Sequence, residues 1–172
     1  MDEKRFPVIN TPRLCLRSIT DGDAESLMGI LTNEAVGETY MVPDFQSLEE
    51  VRKLFEVLKR LSFDKDHFVY GICLEDRLIG FLNDVEIREG QIELGFVIDP
   101  AHWNKGFATE AFGEAIQTLF QLGYTRVITG AFAQNIASIR VMEKCAMTRL
   151  EQTDALEYRG KTHQCVWFEK SH

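Results

Sequence analysis

The stretch Phe68–Asp99 does most to limit the folds open to this chain. Two apolar, strand-like runs, Phe68–Leu74 and Leu78–Ile87, flank the turn Glu75-Asp76-Arg77, and a third, Gln91–Asp99, follows the turn Glu89-Gly90. Connections this short make an antiparallel meander, closed off where Pro100 withdraws a backbone donor. A long helix comes next. Ala108, Ala111, Phe112, Ala115, Ile116, Leu119 and Phe120 recur at i, i+3, i+4, i+7 spacing, and Gly123 stops the run.

On the N-terminal side, Arg13–Ile19 alternates like a strand. Thr20-Asp21-Gly22-Asp23 then starts a helix carrying Ala24, Leu27, Met28 and Leu31 on one stripe. Ser47-Leu48-Glu49-Glu50 is a capping box before an amphipathic face of Leu48, Val51, Leu54, Phe55, Leu58 and Leu61. Between these helices Asn33–Gln46, with Gly37 and Pro43, reads as a loop suited to line a substrate pocket. Towards the C-terminus, Arg126–Ala133 is a strand, Ile136–Cys145 a short helix, and Met147–Tyr158 with Lys161–Lys170 a hairpin around Gly160. The order βααβββαβαββ predicts an α+β (mixed α/β) fold: a central, mostly antiparallel mixed sheet with helices on both faces.

At 172 residues, 45% hydrophobic and 27% charged, the chain supports one self-sufficient core, and residues 1–172 read as a single domain. Lys and Arg number 19 against 27 Asp and Glu, a net charge of −8. That balance argues against nucleic acid as a partner, which calls for a basic face. It suits a cationic substrate such as an amine, and equally the general need of a protein to stay dispersed. No apolar run reaches the ~20 residues of a membrane span. The opening Met-Asp-Glu-Lys-Arg-Phe-Pro carries no apolar signal core, which points to the cytoplasm. Cys15, Cys73, Cys145 and Cys165 form no Cys-x-x-Cys pair and read as reduced core residues. His67, His102 and His163 lack metal-ligand spacing, so no metal is expected.

The chemistry-bearing segment lies between the meander and the long helix: Trp103-Asn104-Lys105-Gly106-Phe107-Ala108-Thr109-Glu110-Ala111. A strand, a tight loop and a helix N-terminus together make an anion site, because the first-turn amides are unpaired and the helix dipole favours negative charge. Gly106 permits a positive φ or close backbone approach, Ala108 keeps bulk away, Thr109 offers a hydroxyl and Lys105 a cation. Neither Gly-x-x-x-x-Gly-Lys-Ser/Thr nor Gly-x-Gly-x-x-Gly is present, which disfavours a nucleotide-binding module.

The run Asp99–Ala111 resembles the acetyl-CoA pyrophosphate loop of the GNAT superfamily of N-acetyltransferases. Asn135-Ile136-Ala137-Ser138, continuing to Glu143-Lys144-Cys145-Ala146-Met147, resembles its next signature. Within the superfamily, Thr11-Pro12-Arg13-Leu14-Cys15-Leu16-Arg17 and the Trp103–Ala111 run most resemble the ribosomal-protein N-terminal acetyltransferases of Rim type. The resemblance departs from the superfamily pattern at Trp103, where Arg or Gln is usual, at Asn104 and Ala146, where Gly is usual, and at Met142, where many relatives place a Tyr acid.

What the resemblance implies is direct transfer of acetyl from acetyl-CoA to a primary amine, a protein N-terminal α-amine or a small amine, in a splayed cleft. Phe96, Val97 and Ile98 would border the pantetheine arm, with a backbone amide there polarising the thioester carbonyl and Gly95 helping to open the strand. Trp103, Asn104, Lys105, Gly106, Phe107, Ala108 and Thr109 would hold the diphosphate, and Asn135 and Ser138 the arm. Glu93 is the first candidate base, its ordinary alternative being a carboxylate paired with Arg or Lys; Glu157 is the second. Ser138 is the candidate acid, or else a helix cap, with water as the alternative proton source. A direct mechanism gives Cys145 no covalent role. Acceptor contacts would come from Asn33–Gln46, from the region of Asp84 and Glu86, and from the terminal hairpin, with Glu38 and Asp44 as acids, Tyr40, Phe45 and Trp103 as aromatics. The alternative reading is a non-catalytic acyl-CoA-binding regulatory domain. Either a monomer or a homodimer is compatible with the sequence.

Overall fold

The computed structural model describes residues 6–172; Met1–Arg5, most of the segment read for a missing signal core, lies outside the described residues. The strands are β1 (Ile9–Asn10), β2 (Leu14–Arg17), β3 (Tyr70–Leu74), β4 (Arg77–Arg88), β5 (Gln91–Ile98), β6 (Arg126–Phe132), β7 (Thr148–Tyr158) and β8 (Lys161–Ser171). They form one sheet in the order β1-β2-β3-β4-β5-β6-β8-β7. The helices are α1 (Ala24–Leu31), α2 (Glu34–Thr39), α3 (Leu48–Leu61), α4 (Phe107–Gln121) and α5 (Ile136–Lys144).

The expected architecture is present, with two short elements added. β1 pairs with β2, and α2 occupies the middle of the segment read as loop, where Asn33 caps it through the Ala35 amide at 3.0 Å. Ser47 caps α3 by accepting from the Glu50 amide at 3.3 Å, while the Glu50 carboxylate accepts from Gln46 rather than Ser47. Leu48, assigned to the apolar face, is 70% exposed. As the first residue of α3 it has no preceding turn to pack beneath.

Two apolar layers sandwich the sheet. One, against α4 and α5, takes Ile92, Leu94 and Ile98 from β5; the other, against α1–α3, takes Val97. Side chains alternate along a strand, so Glu93 and Gly95 share the α1–α3 face with Val97.

β5 pairs with β4 from Gln91 to Ile98 but meets β6, in parallel, only at Gln91↔Arg126, Ile92↔Val127 and Glu93↔Ile128. Beyond Glu93 the strands part. β6 stays with β8 along its whole length, and the crossover helix α4 enters beside the gap. Thr129, fully buried, marks the fork: its Oγ1 donates to the Leu94 carbonyl at 2.8 Å, standing in for the next ladder bond.

β4 holds β5 in place through a close approach at Gly80, where a Cβ would lie 2.2 Å from the Val97 carbonyl oxygen. Backbone cannot yield there as a side chain can. Gly80→Ala is expected to cost roughly 2–3 kcal/mol by overpacking, read as a lower urea midpoint at unchanged slope.

Candidate active site

A cavity of about 490 Å³ fills the fork between β5 and β6. Its walls are the open half of β5, the facing half of β6, the N-terminal end of α4, the length of α5, and the end of α2 with Tyr40. Among the described residues Arg140 and Lys144 line it and no Asp or Glu does, in a chain of net charge −8. The cavity is therefore an anion's environment within an acidic protein.

The α4 end supplies donors. Asn104 and Gly106 both adopt left-handed backbone, φ 60° and 79°, which folds the loop into a concave turn. The first bond of α4 runs from the Glu110 amide to the Gly106 carbonyl at 3.1 Å. The amides of Phe107, Ala108 and Thr109 thus have no intrahelical acceptor, and Gly106 has no side chain to cap them. Trp103 Nε1 donates to the Ile98 carbonyl at 2.7 Å, tying the loop to the tip of β5. A concave turn followed by three free first-turn amides is the chemistry a diphosphate needs. Lys105 is the exception among the expected cofactor residues: it does not line the cavity, its Nζ lies 3.5 Å from the Ala101 carbonyl, and its own carbonyl accepts from Arg13.

The loop is braced from the far end of the chain. Glu110, in the first turn of α4, accepts from Thr11 Oγ1 at 2.6 Å, from the Arg13 amide at 2.8 Å and from Arg13 Nε at 2.7 Å. The Arg13 guanidinium also lies 4.4 Å from the Phe107 ring centre. Burial alone would raise the Glu110 pKa, but these donors together hold it below the usual carboxylate range. Sequence reading finds the Thr11–Arg17 signature but not this role, because the contact spans almost a hundred residues.

Asn135 caps α5, its Oδ1 accepting from the Ser138 amide at 3.1 Å. Its Nδ2 donates to Ser138 Oγ at 2.9 Å, and among the described residues the Ser138 proton has no acceptor. Ser138 therefore faces the cavity as a donor. Met142 is fully buried at the cavity wall, and Cys145 is buried with its thiol pushed up to about 11 by burial. Ala146 takes the left-handed conformation at φ 58° without glycine, and the Met147 amide still closes on the Met142 carbonyl at 3.1 Å.

The two candidate bases part company. Glu93 is half-buried opposite Glu86, and no Lys or Arg among the described residues ion-pairs with it. Burial, and then the Glu86 charge, raise its pKa against the opposing pull of Arg88. It lies past the closed end of the fork rather than in the cavity lining. Glu157 is exposed on the hairpin, takes a hydrogen bond from Thr162, and lies outside the cavity. Asp84 is not an acceptor-facing acid either: its buried carboxylate takes the Phe68 amide at 2.8 Å and sits 3.0 Å from His67 Nδ1. Asp44 pairs with Arg159, Glu38 is exposed, and Phe45 packs into the α1–α3 layer, whereas Tyr40 and Trp103 line the cavity. Nothing in the local sequence signals Thr129, Gly130 and Ala131, which complete the wall from β6.

The family model of the acetyltransferase (GNAT) domain matches residues 13–148. The chain belongs to the GNAT acetyltransferase family. It is an acetyl-CoA-dependent N-acetyltransferase, as the motif resemblance implied. It is 32% identical to the uncharacterized N-acetyltransferase YoaA of Bacillus subtilis over 144 residues, 81% of each chain. A GNAT-family acetyltransferase from Bacillus anthracis shares the fold at TM-score 0.81, 22% identity, and 96% and 98% coverage of the two chains. RimL, a ribosomal α-N-protein acetyltransferase in complex with coenzyme A, superposes at TM-score 0.81 with 20% identity, covering 96% and 97%.

The Glu110 cluster has a defined pH signature. Its native pKa is lowered, so its stabilisation is present above the ordinary glutamate pKa and lost as pH falls through the native value. Glu110→Gln is expected to cost about 2 kcal/mol at neutral pH, from hydrogen bonds to a charged acceptor. That difference from wild type should shrink in acid, as followed by denaturant titrations at stepped pH.

Proposed function

We propose that this N-acetyltransferase acts on a primary amine, either a protein N-terminal α-amine or a small amine, by direct attack on the thioester. The observation that carries this reading is the fork itself. One end presents three free amides in a cavity with no carboxylate among its described residues, and Glu93, a carboxylate with a raised pKa, lies just past the closed end. The likeness to RimL, a ribosomal α-N-protein acetyltransferase, supports the first acceptor class.

In this scheme Phe107, Ala108 and Thr109 amides hold the diphosphate, with Trp103, Asn104 and Gly106 shaping the loop. The pantetheine arm lies along Phe96–Ile98, with Asn135 and Ser138 opposite. The Leu94 carbonyl turns towards β6, so the amides of Phe96 and Ile98, two and four residues on, turn the same way. No strand pairs with that edge among the described residues, and the amides are free to receive the carbonyl oxygen as it gains charge. The nitrogen lone pair forms the new C–N bond and the C–S bond breaks. One amine proton passes to Glu93, directly or through water. Ser138 donates a hydrogen bond to the departing sulfur, whose proton comes from water; a thiol pKa near about 8.5 needs no stronger acid. Glu157 has no part in these steps.

Glu93 works as a base only when ionised. Activity should rise with pH through a midpoint above the ordinary carboxylate range. Glu93→Gln should remove that limb and lower kcat by about a hundredfold or more; an unchanged pH–rate profile would exclude Glu93. Gly106→Asp, which adds charge and bulk at a left-handed residue in the diphosphate loop, should weaken acetyl-CoA binding at least about tenfold by calorimetry. Turnover of acetyl-CoA with peptides beginning Ser or Ala and with polyamines separates the two acceptor classes.

A further inference from the structure

Tyr40 is fixed more firmly than a cavity-lining tyrosine needs to be. Its ring meets Phe81 edge-on at 6.0 Å between centres. Its backbone is held on both sides by Tyr158, from the tip of the terminal hairpin, whose hydroxyl donates to the Gly37 carbonyl at 2.7 Å and accepts from the Val42 amide at 3.3 Å. The neighbouring Thr39 carbonyl accepts from Asn135 Nδ2 at 3.4 Å. Little freedom is left for the phenol to lose when a ligand arrives.

The hydroxyl has a set polarity. Its single proton goes to Asn83 Oδ1 at 2.6 Å, and the Asn83 amide is oriented by Nδ2 donating to the Asp84 carbonyl at 3.3 Å. The oxygen keeps acceptor capacity on the cavity, and Gly95 beside it leaves that side clear: a Cβ there would lie 2.9 Å from Oη and 3.2 Å from Asn83 Oδ1. Gly95 has no positive φ, so glycine is required here for space and not for conformation. Both residues line the cavity, and Glu93 lies two residues back on the same face of β5. Burial pushes the phenol up to about 12, against the Asn83 hydrogen bond, so the group stays neutral.

We infer that Tyr40 Oη is the acceptor that holds one N–H of the incoming amine, orienting its lone pair towards the thioester. The nitrogen then has three separate addresses: lone pair to the carbonyl carbon, one proton to Glu93, one N–H kept on Tyr40. The N–H kept on Tyr40 survives in the amide product. This rests on the proposed acetyl transfer and adds to it a subsite for primary amines, since a secondary amine has no hydrogen left for Tyr40 after transfer.

The test avoids any choice of natural acceptor. Two bisubstrate probes are compared by calorimetry: coenzyme A S-carboxymethylated and joined as an amide to n-propylamine, and the same compound with N-methylpropylamine. Wild type should bind the N–H probe about tenfold more tightly. Tyr40→Phe should bring the two within about twofold while its affinity for coenzyme A stays at the wild-type value, a ratio that a merely structural role would not move. Gly95→Ala, which sets a methyl against Oη, should give the same loss and replaces Tyr40→Phe should that variant not fold. Equal binding of both probes by wild type, or a preference kept in the substituted protein, overturns the inference and leaves acetyl-CoA binding intact. Failure of wild type to bind coenzyme A itself removes the proposed transfer, and this inference with it.

Discussion

The site depends on the parting of β5 from β6 after Glu93. A sheet gains from every ladder bond it makes, so an open edge in its middle must be maintained by something else. Here β4 keeps one strand and β8 the other, and Thr129 closes the fork by lending a side-chain hydroxyl to the Leu94 carbonyl. The backbone groups left free beyond that point are the ones a thioester can use. An ordinary continuous sheet would have spent them on itself.

Around this fork, distant parts of the chain act as braces. The N-terminal segment reaches α4 through Thr11, Arg13 and Glu110 and holds the loop proposed for the diphosphate from outside. The terminal hairpin reaches the end of α2 through Tyr158 and holds the cavity wall that carries Tyr40. Neither brace lines the cavity, so each acts by limiting what the loop and wall can do. Such contacts cost conformational entropy at folding and spare it at binding.

Electrostatics separates the two substrates. The cavity proposed for the anionic cofactor offers amides, Arg140 and Lys144, and no carboxylate among its described residues. The side proposed for the nucleophile carries Glu93 and Glu86 across one strand pair, with Arg88 drawn to Glu86 at 2.9 Å. Burial and the Glu86 charge raise the Glu93 pKa, which suits the proton-accepting role proposed for it.

Periodicity alone determined the meander, the long helix and their order, because alternation and i, i+3, i+4 spacing are local consequences of burying one face. Gly106 and the missing cap of α4 were legible for the same reason: a left-handed residue before a helix is a local matter. The sequence read α2 as loop, since six residues are too few for a visible apolar period. Its pattern could not choose between Glu93 and Glu157, nor show that Asp84 is committed to the Phe68 amide. The missing quantity was distance between segments far apart in sequence. Where β6 leaves β5, which side chains brace the loop, and why residue 95 must lack a side chain are all set by how the strands and helices pack. Only the tertiary structure decided those, because each is a contact between surfaces that the local chain does not specify.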